Sequence, residues 1–241
     1  SITHQELPLT THTDQPTPDR QPSCLVVLCK RPALGHSKQR LAEQIGQEAA
    51  LQIAERLLDC AIEDLQQWPG ERVISPDHAQ HHDWARSLCS TAHVLAQAEG
   101  NLGQRLNDLD QRLRSLGHQR LLFIGSDCPA LRPDDYQRVC AQLDNTDTVL
   151  LNARDGGVVL MASNRPWPDL SQLPWSTGQL GSALADGCRA AGHSVALAGD
   201  LFDIDHQADL CLLEGCLASE TRPARLALRD TLIRTGNVVH A

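Results

Sequence analysis

Short apolar runs alternate with longer segments of helical periodicity along most of the chain. The short runs have the composition of buried strands, and the longer segments repeat apolar residues at the spacing of amphipathic helices. The predicted strands lie at 24–29, 72–74, 93–96, 120–126, 148–151, 158–161 and 194–198. The predicted helices lie at 38–68, 83–90, 102–116, 133–143, 178–191, 206–218 and 222–234. Gly46 is a point at which the first helix could bend or split.

This order of elements predicts an α/β fold with one central, mostly parallel sheet. Strand–helix alternation favours a parallel sheet with helices on both faces, and the turn sequence at 152–157 predicts one hairpin-like interruption. Residues 1–22 are rich in Thr, Pro, Gln and Asp, which predicts a flexible N-terminal tail. Residues 23–241 are predicted to form a single domain, because no linker or internal repeat divides them.

A basic loop directly after the first strand is the strongest functional signal. Lys30, Arg31, Lys38 and Arg40 lie within eleven residues, around Gly35. Backbone N–H groups, a helix start and cationic side chains converge in such a loop, which is one way that proteins bind phosphate. The loop lacks the glycine spacing of a P-loop or of a dinucleotide-binding fold. We therefore expect Lys38 and Arg40 to bind phosphate, and the alternative is a solvated loop without a ligand.

Two acidic segments are candidates for a metal site. Asp127 follows an apolar strand in the sequence Gly-Ser-Asp-Cys-Pro, and ligands of open α/β sheets bind beyond the carboxyl ends of strands. A carboxylate in that place suits Mg²⁺ or Mn²⁺ together with a diphosphate. Asp203 and Asp205 face the same side of an extended segment, and a cation would relieve their repulsion. The alternatives are that Asp127 caps a turn and that Asp205 caps the helix after it.

Asp155, Gly156, Gly157 and Trp175 are weaker candidates. The two glycines permit positive φ and close approach of a ligand, although an ordinary hairpin turn is the simpler interpretation. Trp175 lies in a Pro-Trp-Ser-Thr segment, where it either packs at the rim of the core or stacks on a sugar or base.

Composition excludes several classes of partner. The chain has 30 acidic and 21 basic residues and a formal net charge of −9, which argues against general nucleic-acid binding. No apolar run reaches the roughly 18 residues of a membrane span, and no signal-peptide pattern opens the sequence. Nine cysteines without the paired spacing of a zinc site predict reduced core residues in a cytoplasmic protein.

Six motifs occur in a fixed order along residues 24–213. The first, Lys-x-Pro-x-x-Gly-x-x-Lys-Thr-Arg-Leu, is matched at Lys30, Pro32, Gly35, Lys38, Arg40 and Leu41. The others are matched at Leu102, Gly103 and Arg105, at 125–131, at 155–157, at Trp175 and Ser176, and at Asp203, Asp205, Asp209 and Leu210. In this order they resemble the small bacterial nucleotide-diphospho-sugar transferase-like proteins, often labelled arsenosugar-biosynthesis glycosyltransferases. The chain departs from that pattern at Gln39, where the family has Thr, and at Val158, where it has Tyr.

The resemblance implies the GT-A fold, which is related to the molybdopterin-cofactor and phospholactate guanylyltransferases. It implies a nucleotide pocket over the carboxyl ends of the central strands, with a bound Mg²⁺ or Mn²⁺. The implied phosphate or nucleotide ligands are Lys30, Gly35, Lys38, Arg40 and Arg105. The implied metal ligands are Asp127, Asp203 and Asp205. The implied sugar or acceptor side holds Asp155 as the candidate catalytic base, with Gly156, Gly157 and Trp175.

Three functions are compatible with this pattern. The first is metal-dependent transfer of a sugar from a nucleoside-diphosphate sugar to a small-molecule acceptor. The second is nucleotidylyl transfer from a nucleoside triphosphate to a phosphorylated small molecule, in which the nucleophile is already ionised and no protein base is required. The third is a nucleotide-binding module without turnover, which the departures at Gln39 and Val158 suggest.

Overall fold

The computed structural model describes residues 23–237, so the predicted tail at 1–22 lies outside the described residues. The strands are β1 (Ser23–Cys29), β2 (Arg72–Pro76), β3 (His93–Val94), β4 (Arg120–Ile124), β5 (Thr148–Ala153), β6 (Val158–Ser163) and β7 (Val195–Leu201). The helices are α1 (Gln39–Ile45), α2 (Gln47–Gln67), α3 (His82–Leu88), α4 (Leu102–Ser115), α5 (Pro133–Leu143), α6 (Leu180–Ala190), α7 (Gln207–Leu217) and α8 (Pro223–Arg234). A short 3-10 turn, Ala79–His81, precedes α3.

The seven strands form one sheet in the order β3-β2-β1-β4-β6-β5-β7. β6 is antiparallel to both of its neighbours, β4 and β5, and the other pairs are parallel. The predicted α/β class, the mostly parallel sheet and the hairpin-like interruption are therefore confirmed. Because the parallel strands point the same way, the loops after β1, β2, β4, β5 and β7 meet at one edge of the sheet.

Both faces of the sheet are covered by apolar side chains. All five residues of β4 are buried, and alternate residues enter different clusters. Leu122 and Ile124 pack with residues of α2 and α5, whereas Leu121 and Phe123 pack with residues of α4 and α6. Burial on both faces explains why this strand reads as a continuous apolar run rather than as an alternating pattern.

A third apolar cluster attaches the C-terminal helices to the start of the domain. Leu41 of α1 and Leu57 of α2 pack against Leu210 of α7 and Leu228 of α8. This packing brings the segment after β7 against the loop after β4, where the backbone N–H of Ile204 donates to the carbonyl of Asp127 at 2.9 Å. The C-terminal helices thus help to place two of the acidic segments side by side.

The predicted helix at 38–68 is two helices in the structure. α1 ends at Ile45, Gly46 has a φ of 95°, and α2 begins at Gln47. α1 is consequently only seven residues long, and Lys38 lies just outside it at the N-cap position. None of the helices within residues 23–237 combines the length and apolarity needed to cross a membrane.

Five of the nine cysteines predicted for the core are buried there, Cys24, Cys29, Cys60, Cys89 and Cys188, whereas Cys211 is exposed on α7. Burial raises the pKa of the Cys24, Cys29 and Cys60 thiols to about 12. These thiols stay protonated at neutral pH and are therefore poor nucleophiles.

Candidate functional site

A cavity of about 970 Å³ opens at the edge of the sheet where the strand-end loops meet. Ten of the predicted site residues line it: Lys30, Lys38, Arg40, Arg105, Asp127, Asp155, Gly157, Trp175, Asp203 and Asp205. Gly35 and Gly156 belong to the same loops but do not line the cavity. The structure therefore brings together side chains that are up to 175 residues apart in the sequence.

Lys38 joins the basic loop to the acidic segments. Its Nζ lies 2.7 Å from Asp127 Oδ1 and 3.6 Å from Asp205 Oδ1, and it donates to the carbonyl of Ile204 at 2.6 Å. The Lys38 side chain is 12% exposed, so this ammonium contacts protein oxygens more than water. Two strand-end segments, after β4 and after β7, thus share one cation.

Two residues of the cavity have an unusual backbone conformation. Among the described residues, Lys38 (φ 51°) and Ser176 (φ 61°) are the non-glycine residues with positive φ, and both line the cavity. This region of φ is unfavourable for residues with a Cβ, and such strain concentrates at functional sites. Lys38 adopts this left-handed conformation at the N-cap position, immediately before α1 begins.

Asp203 experiences the negative charge of the cluster most directly. Burial, together with the charges of Asp127 and Asp205, raises the pKa of Asp203 to about 7, while Lys38 acts in the opposite direction. Three carboxylates therefore face one ammonium. With all three ionised, the net charge of the cluster is negative, which favours the binding of a second cation.

The other predicted cations differ in how firmly they are held. Lys30 is exposed and its Nζ donates to the carbonyl of His36 at 3.1 Å, and Arg40 is exposed at the rim. Arg105 is held by Gln97, whose Oε1 accepts from Arg105 Nη1 at 2.6 Å. Gln97 is buried and its Nε2 donates to the carbonyl of Ser75. No sequence pattern indicated Gln97, which positions Arg105 in the cavity wall.

The hairpin between β5 and β6 forms a tight turn against the start of α6. Asp155 is exposed, and its Oδ1 accepts from the backbone N–H of Gly157 at 2.9 Å. Gly156 has a φ of 92°, and a Cβ there would overlap the carbonyl of Gly178. Gly156 is thus explained by turn geometry and backbone packing, whereas Asp155 and Gly157 line the cavity.

Trp175 is anchored to the core and also lines the cavity. Its Nε1 donates to the carbonyl of Leu170 at 2.8 Å, and its ring packs on the cluster that includes α4 and α6. Gly103 of α4 allows this contact, because a Cβ there would overlap the Leu170 carbonyl. Trp175 thus packs at the rim of the core, as one interpretation predicted, and its stacking on a sugar or base stays a prediction.

Comparison with known proteins places the chain in a family. Residues 57–177 match the family described as "Uncharacterized protein conserved in bacteria (DUF2064)". The chain belongs to DUF2064. The matched half of the chain contains Arg105, Asp127, Asp155 and Trp175, while Lys38 lies before it. No curated protein matches the sequence.

Solved structures show the fold of this DUF2064 protein. A protein of Desulfovibrio desulfuricans G20, provisionally named a nucleotide-diphospho-sugar transferase, is similar with a TM-score of 0.78 and 22% identity, over 88% of this chain and 96% of the other. A cytidylyltransferase from Leptospira borgpetersenii serovar Hardjo-bovis is similar with a TM-score of 0.53 and 11% identity, over 92% of this chain and 100% of the other. The fold is therefore that of the nucleotide-diphospho-sugar transferase-like proteins, as the sequence motifs implied.

The acidic cluster suits a divalent cation in its chemistry. Asp127, Asp203 and Asp205 offer the hard oxygen ligands that Mg²⁺ and Mn²⁺ prefer, and their combined charge exceeds that of Lys38. Within residues 23–237, however, no group of three or more His, Cys, Asp or Glu side chains is arranged to hold a metal ion. The Lys38 ammonium lies between Asp127 and Asp205, so metal binding requires this side chain to move.

Arg225 supports the site from behind and was not predicted. It is fully buried, and its guanidinium binds Asp64 and donates to the carbonyls of Pro129 and Leu131, in the turn that follows Asp127. The available signal was its helical spacing, because Arg225 lies three residues before the buried Leu228 of α8.

Proposed function

We propose that this protein is a transferase that moves a sugar from a nucleoside-diphosphate sugar to a small-molecule acceptor, with Mg²⁺ or Mn²⁺ as cofactor. The observation that carries the proposal is the contact of Lys38 with Asp127 and Asp205 inside a cavity at the carboxyl ends of the strands. The cavity volume is at the upper end of the range of small-molecule sites, which suits a ligand as large as a nucleotide sugar. The provisional name of the Desulfovibrio desulfuricans structure supports the same class of donor.

In this proposal the basic residues bind the diphosphate of the donor. Lys38 and Arg40, with Lys30 and Arg105, would stabilise the negative charge that develops on the departing diphosphate. A divalent cation held by Asp127 with Asp203 or Asp205 would supply further neutralisation of the leaving group. The strained backbone at Lys38 fixes where the basic loop turns toward the cavity.

Asp155 is the proposed base for the acceptor hydroxyl. It lies at the cavity on the hairpin between β5 and β6, and the bond from the Gly157 N–H orients its carboxylate. A carboxylate in reach of the acceptor can remove its proton as the sugar is transferred. Trp175 would provide an apolar face beside the sugar, anchored by its bond to Leu170.

Nucleotidylyl transfer is the second candidate, and position 158 favours it. Val158 lines the cavity where the family pattern has Tyr, so a ring that could contact a sugar or acceptor is missing. The cations of the cavity would bind a triphosphate as readily as a diphosphate, and attack by a phosphorylated acceptor needs no protein base. The name of the Leptospira cytidylyltransferase supports this reaction class.

Product analysis tests both candidates. The protein is incubated with Mn²⁺, an acceptor panel and either nucleotide sugars or nucleoside triphosphates; release of nucleoside diphosphate supports sugar transfer, and release of pyrophosphate supports nucleotidylyl transfer. Asp127→Asn should lower the rate by about 100-fold or more, because it removes a charge from the metal and phosphate site. Asp134→Asn is the matched control, since Asp134 is exposed on α5 outside the cavity. An Asp127→Asn rate equal to that of the control would refute the metal role, and metal-dependent nucleotide binding without any product would favour the module without turnover.

A further inference from the structure

The oxygens around Lys38 Nζ form a cradle for one cation. Asp127 Oδ1 at 2.7 Å comes from the segment after β4, whereas Asp205 Oδ1 at 3.6 Å and the Ile204 carbonyl at 2.6 Å come from the segment after β7. These are two carboxylate oxygens and one carbonyl oxygen, which are the atom types that also coordinate hard divalent ions. The Lys38 ammonium lies at the point where these three oxygens converge.

An ammonium and a divalent ion cannot share this position. A Mg²⁺ ion lies roughly 2.0 to 2.1 Å from its oxygen ligands, so an ion that joins Asp127 to Asp205 must occupy the space between them. Lys38 Nζ fills that space, and two cations at such a separation repel each other. Metal binding to this pair therefore requires Lys38 to leave.

Lys38 has a route out of the cradle but needs a new anionic partner. Lys38 lies just outside α1, and its flexible side chain lines the open cavity. A bare metal ion offers the departing ammonium no partner, whereas a diphosphate offers oxygens of the same charge sign as the carboxylates it gives up. Exchange is thus more favourable when metal and diphosphate arrive together.

We propose that Lys38 is an internal counter-ion that holds the metal position in the free protein and moves to the phosphates when a metal–diphosphate pair binds. This rests on the proposed function for the identity of the ligand. It makes Mn²⁺ binding weak in the absence of diphosphate and strong in its presence, so that the two ligands bind as one unit.

Mn²⁺ titration followed by electron paramagnetic resonance tests the exchange without any measurement of turnover. The full chain is titrated with Mn²⁺ alone and with Mn²⁺ plus inorganic pyrophosphate. Lys38→Met should bind Mn²⁺ alone at least about 10-fold more tightly than the unmodified protein, since the competing ammonium is gone. Lys38→Gly is a second variant that accepts the positive φ of this position and guards against misfolding.

Lys30→Met is the matched control for the titration with Mn²⁺ alone, because it removes one positive charge from the same cavity without emptying the cradle. Pyrophosphate should tighten Mn²⁺ binding to the unmodified protein, and this gain should shrink in both Lys38 variants. Unchanged or weaker Mn²⁺ binding in both folded Lys38 variants would overturn the proposal, as would equal tightening in Lys30→Met or no Mn²⁺ binding by any of the proteins. A failure to detect sugar or nucleotidylyl transfer would count against the proposed function. The Mn²⁺ titrations would still decide whether Lys38 competes with the metal, because they do not depend on turnover.

Discussion

Arg225→Met should destabilise the protein by about 3 kcal/mol, at the lower end of the usual cost of breaking a buried ion pair. Arg225 is fully buried and forms two bonds to Asp64, at 2.8 Å and 3.1 Å. It also donates to the carbonyls of Cys60, Pro129 and Leu131, which join α2 to the turn after Asp127. Methionine would fill most of the volume but would leave two carboxylates, those of Asp64 and Glu63, and three carbonyls without this donor.

Two contacts keep the expected cost near 3 kcal/mol rather than 5 kcal/mol. Tyr136 still donates to Asp64 at 2.7 Å, and the Arg222 guanidinium lies 3.6 Å from the same carboxylate. Removing the carboxylate as well, in Asp64→Asn with Arg225→Met, should therefore cost less than the sum of the two single changes. A coupling of about 1 kcal/mol or more is expected for groups in direct contact.

Urea unfolding at neutral pH measures these differences. Arg229→Met is the matched control, because Arg229 is exposed on the same helix and should change stability by at most about 0.5 kcal/mol. If Arg225→Met lay within about 1 kcal/mol of the unmodified protein, with an unchanged denaturant slope, the argument from buried charge would be wrong.

Three further predictions concern other parts of the molecule. Hydrogen bonds from Arg222 hold the pKa of Glu220 at about 2, below its usual 4.5, so Glu220→Gln should destabilise the protein near neutral pH. The difference in free energy of unfolding between the parent and Glu220→Gln should shrink as the pH falls from 4.5 toward 2, because the lowered pKa stabilises the folded protein fully only where Glu220 is ionised in both the folded and the unfolded state. Urea unfolding across this range measures the difference, and a constant difference would contradict the lowered pKa of Glu220. Gly156→Ala should lower the free energy of unfolding by about 2 kcal/mol or more, because it combines a positive φ with overlap of the Gly178 carbonyl, and a thermal melt equal to that of the parent would exclude this strain. Asp155→Asn should slow sugar transfer by about 100-fold with little change in Mn²⁺–pyrophosphate affinity, and an unchanged rate of nucleoside-diphosphate release would remove Asp155 as the base.

The sheet and the convergence of its loops could be predicted from the sequence because they depend on local patterns. The apolar run at β4 and the strand–helix alternation fix a parallel sheet, and parallel strands place their following loops at one edge. That geometry alone implies that Asp127 and the segment of Asp205 approach the basic loop. The contact of Lys38 with Asp127 follows the same rule.

The finer arrangement depends on packing between distant parts of the chain, which local patterns do not encode. Lys38 and the Ile204 carbonyl are 166 residues apart, and their bond requires α7 and α8 to pack on α1 and α2. The positive φ of Lys38 has no sequence signal, since Lys is not a residue that favours it. Helical spacing indicates the buried position of Arg225, but its partner Asp64 lies 161 residues away and no local pattern indicates it.

Because β6 runs antiparallel to its neighbours, the part of the cavity lined by Val158 and Trp175 is built by different segments from the part lined by the loops after β1 and β4. β6 starts at the cavity with Val158 and runs away from it, so the chain must return to the cavity before Trp175. Position 158 can therefore be exchanged without altering the pairing of β1 with β4, which carries the proposed phosphate end. If the proposed function holds, acceptor preference can diverge among proteins of this architecture while the proposed anion-binding end stays unchanged.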